Sequence, residues 1–218
     1  MKAMPALSLL SLSLLGQPSA SAGEFSLGEK EVVAFVGGTN VGRAQEDGSL
    51  EAMLTRAFAK KEPVFRDMSW DADTVYRQSS VIERWRKNGF GDRVEQLERQ
   101  KITLVIAQFG RLESMAGEEK LEDFANAYER LIDDYLKQAK QVVVVAPLAF
   151  EKPANSLLPD LTVHNPSLAL YVGKISKMAA ERKLVFVDLF TGAPRGWTGN
   201  GMHLRADAHK MAAALWME

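Results

Sequence analysis

The chain of 218 residues is long enough for one domain with a full core. Its 46% apolar and 25% charged residues fit a globular protein and exclude a disordered or fibrous one. Lys plus Arg number 27 against 28 for Asp plus Glu, so charge gives no case for binding nucleic acid or an anionic membrane surface. With no Cys there is no disulfide, thiolate metal site or Cys nucleophile. Three dispersed His without paired acidic spacing do not make a zinc site, and no cofactor is expected.

Residues 1–22 read as a secretory signal peptide. Lys2 supplies the positive start, Ala6 to Leu15 is almost wholly apolar or Ser, Gln17 and Pro18 break the run, and Ala20-Ser21-Ala22 offers small residues before a cut. A buried N-terminal helix is the alternative, but the run does not alternate apolar with polar. The run falls short of the roughly 20 residues that cross a bilayer, and no later stretch is long and apolar enough to do so. The mature part, residues 23–218, is expected as a single exported domain, periplasmic or extracellular.

Five short, β-branched apolar runs follow: Glu31–Val36, Pro63–Met68, Ile102–Phe109, Gln141–Ala146 and Leu184–Leu189. Their pattern predicts strands buried on both faces. Between them, apolar residues recur at three and four over Glu118–Ala139 and, less cleanly, over Ser49–Ala59, Val81–Gln100 and Ser167–Ala180. Ala206–Trp216 reads as a last helix. Strand then helix, five times, predicts a three-layer α/β/α sandwich around a flavodoxin-like parallel five-stranded sheet. In such sheets sites form beyond the carboxyl ends of the strands. The loop Phe150–Pro166, with three Pro, reads as a lid candidate.

The first strand runs into Gly37-Gly38-Thr39-Asn40-Val41-Gly42-Arg43. Two Gly permit a tight strand-to-helix turn that exposes a hydroxyl beside backbone amides, as a nucleophile or a phosphate site needs. A dinucleotide turn is one reading. Against it, Asn40 stands where that turn has its middle Gly, and Tyr171 is followed four residues on by Ile175 rather than Lys.

The second reading rests on four blocks in order. Val33–Thr39 resembles the Gly-Asp-Ser block of the GDSL/SGNH ester hydrolases, with Thr39 in place of Ser. Phe65–Val75 is similar to their second block, with Ala72 for Gly. Phe109–Ser114 is similar to the third, Gly-x-Asn-Asp, with Leu112 for Asn and Glu113 for Asp. Asn200-Gly201-Met202-His203 is similar to the closing Asp-x-x-His, with Asn200 for Asp and His203 kept. The likeness is nearest to exported members with a Gly-Gly-Thr first block and an Asn-Gly-x-His last block.

The resemblance implies the SGNH hydrolase fold, no cofactor, and a small-molecule or glycan ester as ligand. It implies Thr39 as nucleophile, His203 as base and Asn200 as its orienter, with Gly38, Asn40, Ala72, Leu112 and Glu113 at the oxyanion and binding positions. The departures weaken that machinery. The methyl of Thr39 crowds attack, Asn200 lacks the charge that stabilises an imidazolium, and Leu112 has no donor. Ala72 demands a backbone that accepts a Cβ. Asp73 and Glu113, unless merely solvated or capping, add negative charge against an oxyanion. Two functions follow as expectations: a divergent esterase acting on acyl or acetyl groups of carbohydrate or lipid, with activity reduced or lost; or a non-catalytic binder of a glycan, lipid or protein. For the binder, Trp70, Trp197 and Phe150 are candidate stacking residues, while His164 and His209 are expected to be structural.

Overall fold

The computed structural model describes residues 25–76 and 93–215. Residues 1–22, expected as a signal peptide, residues 81–92 of the helix expected over Val81–Gln100, and Trp216 lie outside them.

Five parallel strands, β1 (Val32–Gly37), β2 (Val64–Asp67), β3 (Leu104–Gln108), β4 (Gln141–Val145) and β5 (Val185–Val187), form one sheet in the order β2-β1-β3-β4-β5. This is the flavodoxin-like order expected. The chain steps outward from β1 to β2 and then returns to β3 on the other side of β1, so Phe35 lies opposite both Asp67 and Ile106. The strand order reverses at β1 and β3, which opens a crevice at their carboxyl ends.

The central strands are apolar apart from Gln108 and Gln141 at their ends, because both faces are covered. Ala34, Val36, Val105 and Val144 pack on one face against Phe124, Tyr128 and Ile132 of α4 (Leu121–Leu136), with α3 (Arg93–Arg99) and α5 (Asn165–Glu181) beside it. Val33, Phe35, Ile106 and Val143 pack on the other against α2 (Ser49–Ala57) and α7 (Ala206–Ala214). Each fully buried Val or Leu contributes about 1.5–3 kcal/mol relative to exposure.

Several expectations need correction. β2 is an edge strand, and Val64, Arg66 and Asp67 face solvent, so this run is not buried on both faces. The last strand stops at Val187. Asp188 then caps the short α6 (Leu189–Gly192), its Oδ1 accepting from the amides of Phe190 at 2.9 Å and Thr191 at 3.0 Å. A helix absent from the expected set, α1 (Thr39–Asp47), starts at the glycine turn itself. It has no fully buried residue and contains Gly42, so it carries no apolar stripe to read. Gly48, with φ +74°, ends α1 and begins α2.

Candidate functional site

Residues from all four sequence blocks line one pocket of about 60 Å³ beyond β1 and β3, including Gly38, Thr39, Asn40, Leu112, Glu113 and His203. The glycine turn makes this closeness possible. A Cβ on Gly37, at φ +154°, would stand 2.5 Å from the Gln108 carbonyl, so only glycine lets β1 end against β3 here. Gly38 then caps α1 without a side chain, and Thr39 is the first residue of the helix.

The Thr39 Oγ1 accepts a hydrogen bond from the Ala72 amide at 3.2 Å. Ala72 itself has φ +55°. The backbone here is left-handed, a region that accepts a Cβ but that glycine enters more readily. That conformation costs about 1–2 kcal/mol. Among the described residues Thr39 and His203 make no hydrogen bond to each other.

Glu113 is not solvated. It is 5% exposed, and its carboxylate accepts from the Val75 amide at 2.9 Å and the Gly110 amide at 2.9 Å. Burial pushes its carboxyl above the usual range; the two amides pull it back in part, and the nearby Asp73 adds to the rise. Glu113 thus ties the loop after β3 to the loop after β2. Asp73, also buried, accepts from the Thr74 amide at 3.0 Å. Leu112 contributes only an apolar wall.

The last block sits in a tight turn closed by a bridge between Thr198 and Leu204. A Cβ on Gly201, at φ +82°, would lie 2.4 Å from the Glu151 carbonyl, so glycine is required where the turn meets the loop after β4. Asn200 Oδ1 accepts from the amides of Met202 at 3.1 Å and His203 at 2.8 Å. Those two donors fix the amide group: a flip would turn its NH₂ toward N–H groups. Asn200 Nδ2 then lies 3.0 Å from His203 Nδ1 and must donate to it. The imidazole therefore carries its proton on Nε2. Burial, then Arg43 and Arg111, hold His203 below the usual histidine range, with Asp71 opposing, so the ring is neutral near pH 7.

Sequence reasoning missed Arg111. It is 7% exposed and crosses from the third block to the fourth, donating to the carbonyls of Met202, Ala149 (3.2 Å) and Gly201 (3.5 Å). Its guanidinium lies 4.6 Å from the centroid of the Phe150 ring, and burial lowers it to about 10. A lone cation inside the apolar run Phe109–Leu112 was the available signal. Phe150 and Trp197 are buried packing residues rather than stacking platforms. His164 packs edge-on against Phe150, and His209 lies in the core. Among the described residues no group of His, Asp and Glu is arranged to hold a metal.

No family model and no curated relative matches the chain. Solved structures do match in fold. A protein from Parabacteroides merdae described as a GDSL-like lipase superposes with TM-score 0.66 at 16% identity, covering 88% of this chain and 96% of that one. A catalytic mutant of an acetylxylan esterase from Geobacillus stearothermophilus gives 0.63 at 14% identity, covering 88% and 95%. The acetyl xylan esterase AlAXEase gives 0.63 at 15%, covering 85% and 98%. The five-stranded α/β fold is thus the one these esterases share.

Proposed function

We propose that this chain is an exported protein of the GDSL/SGNH type whose pocket recognises an acyl or acetyl ester of a carbohydrate or lipid and hydrolyses it slowly at best. The fold shared with esterases and the meeting of the four blocks in one pocket support the ester ligand. The observation that carries the loss of rate is the Asn200–His203 contact. A base at this position needs Nε2 free and a proton on Nδ1, first in the neutral ring and then in the imidazolium. Either state sets Nδ1–H against the NH₂ of Asn200, donor against donor. An Asp-to-Asn change that enforces the wrong tautomer costs a protease triad ~10⁴ in kcat. Leu112 removes a side-chain donor worth ~10²–10³ on top, although such losses do not simply add. What remains is a pocket in which the neutral His203 ring offers its Nε2–H to a carbonyl or hydroxyl oxygen.

Hydrolysis of p-nitrophenyl acetate tests this. The wild type is expected near the uncatalysed rate, and Asn200→Asp, which restores an acceptor for Nδ1–H, is expected to raise kcat at least tenfold. Ordinary esterase turnover by the wild type, lost in His203→Ala, would overturn the proposal. That outcome would favour the second reading, an active divergent hydrolase in which Thr39 attacks. The specific support for it is that the Thr39 hydroxyl stands at the start of α1 beside the Ala72 amide.

A further inference from the structure

Beneath α1, a second cavity of about 60 Å³ lies between that helix, α7 and the sheet. Its wall is mostly apolar, from Phe35, Val41, Leu50, Ile106 and Val145 among others, yet it carries one buried donor that lacks a partner among the described residues. That donor is Gln45 Nε2. His209, 8% exposed, lines the same cavity and has Asp47 and Arg43 as charged neighbours. An unmet buried donor costs about 1–3 kcal/mol, so an apolar cavity that keeps one calls for an occupant with an acceptor. The cavity adjoins the pocket of Thr39 and His203: Asn40 and Gln108 line both, and Leu204, next to His203, lines this one.

We propose, resting on the ester-binding reading above, that this cavity receives the tail of a short hydroxyacyl group whose carbonyl lies in the Thr39 pocket. The alkyl part meets the apolar wall, and the hydroxyl accepts from Gln45 with the His209 ring beside it. The space admits only a short tail, about four non-hydrogen atoms when one water needs ~10–15 Å³ of such cavity space. Long fatty acyl chains are excluded, as are tails whose end cannot accept a hydrogen bond.

The experiment uses methyl acetate, methyl butyrate and methyl 3-hydroxybutyrate as probes, with binding followed by amide chemical shifts on the full-length mature protein. Methyl acetate has no tail and reads the Thr39 pocket alone. Methyl 3-hydroxybutyrate is expected to bind about fivefold tighter than methyl butyrate, one hydrogen bond's worth, and to shift the Gln45 side-chain amide. Gln45→Leu is expected to abolish that preference while leaving methyl acetate affinity unchanged. Ala44→Leu, which fills the cavity from α1, is expected to exclude both esters with four-carbon acyl groups and to keep or raise Tm. Methyl acetate binding with no gain from the hydroxyl, or a gain that survives in Gln45→Leu, overturns the tail cavity and spares the ester pocket. Failure of all three esters to bind overturns both.

Discussion

Asn200 differs from an aspartate by one NH₂ group, and that group sets the chemistry of His203. Its Oδ1 already serves the turn by holding two amides, so only Nδ2 is left for the ring. The same contact governs titration. Burial and the neighbouring Arg43 and Arg111 place the folded His203 below the ~6.5 of an unfolded chain. The unfolded state therefore takes up the proton first on acidification. His203's share of stability is complete above about 6.5 and is lost as pH falls through the depressed midpoint. Imidazole NMR should show a midpoint below 6.5, with the Nδ1 shift of an unprotonated acceptor. Asn200→Asp should raise the midpoint by about one unit or more, because a carboxylate favours the imidazolium. A wild-type ring protonated on Nδ1 would sink the tautomer assignment.

At the level of elements, two buried side chains join loops that the sheet alone would only bring near. Glu113 links the loops after β2 and β3, and Arg111 links the loops after β3 and β4 to the closing turn. Glu113→Ala would leave the Val75 and Gly110 amides buried and unpaired. The expected cost is about 3 kcal/mol in urea denaturation, with faster hydrogen exchange at both amides. Glu113→Gln, which keeps one acceptor oxygen, should fall between. A surface role for Glu113 would give less than about 0.5 kcal/mol.

These ties explain which parts of the site could be read in advance. Thr39, Asn200 and His203 stand at positions that the resemblance to the ester hydrolases picks out by residue type and order, and the fold brings Thr39 and His203 to one pocket. Glu113 reads in sequence either as a binding-position carboxylate or as a solvated or capping one, because its partners, the amides of Val75 and Gly110, are backbone groups with no residue signature. Arg111 was passed over for the same reason, since all its acceptors are carbonyls. The tautomer of His203 was also beyond sequence: it depends on which end of one amide faces two N–H groups. The missed helix α1 shows the limit of periodicity, because a helix held by its position at the turn needs no apolar face.

For the molecule as a whole, three of the five runs read as buried strands form its stable centre, and the edge strand β2 is held less firmly. β1, β3 and β4 each carry neighbours on both sides and helices on both faces. β2 has one neighbour, and its exposed Arg66 and Asp67 put charges where another chain would otherwise pair. Opening β2 uncovers little apolar surface, whereas opening β3 uncovers both cores, so their local stabilities must differ. Native-state hydrogen exchange should rank the amides of Val105, Ile106 and Val143 slowest, near the global unfolding limit. Those of β2 should exchange at least tenfold faster, through local opening that leaves the Thr39 pocket's β1–β3 wall intact. Equal protection across β2 and β3 would mean that the sheet opens as one unit, and the site could then not outlast its edge.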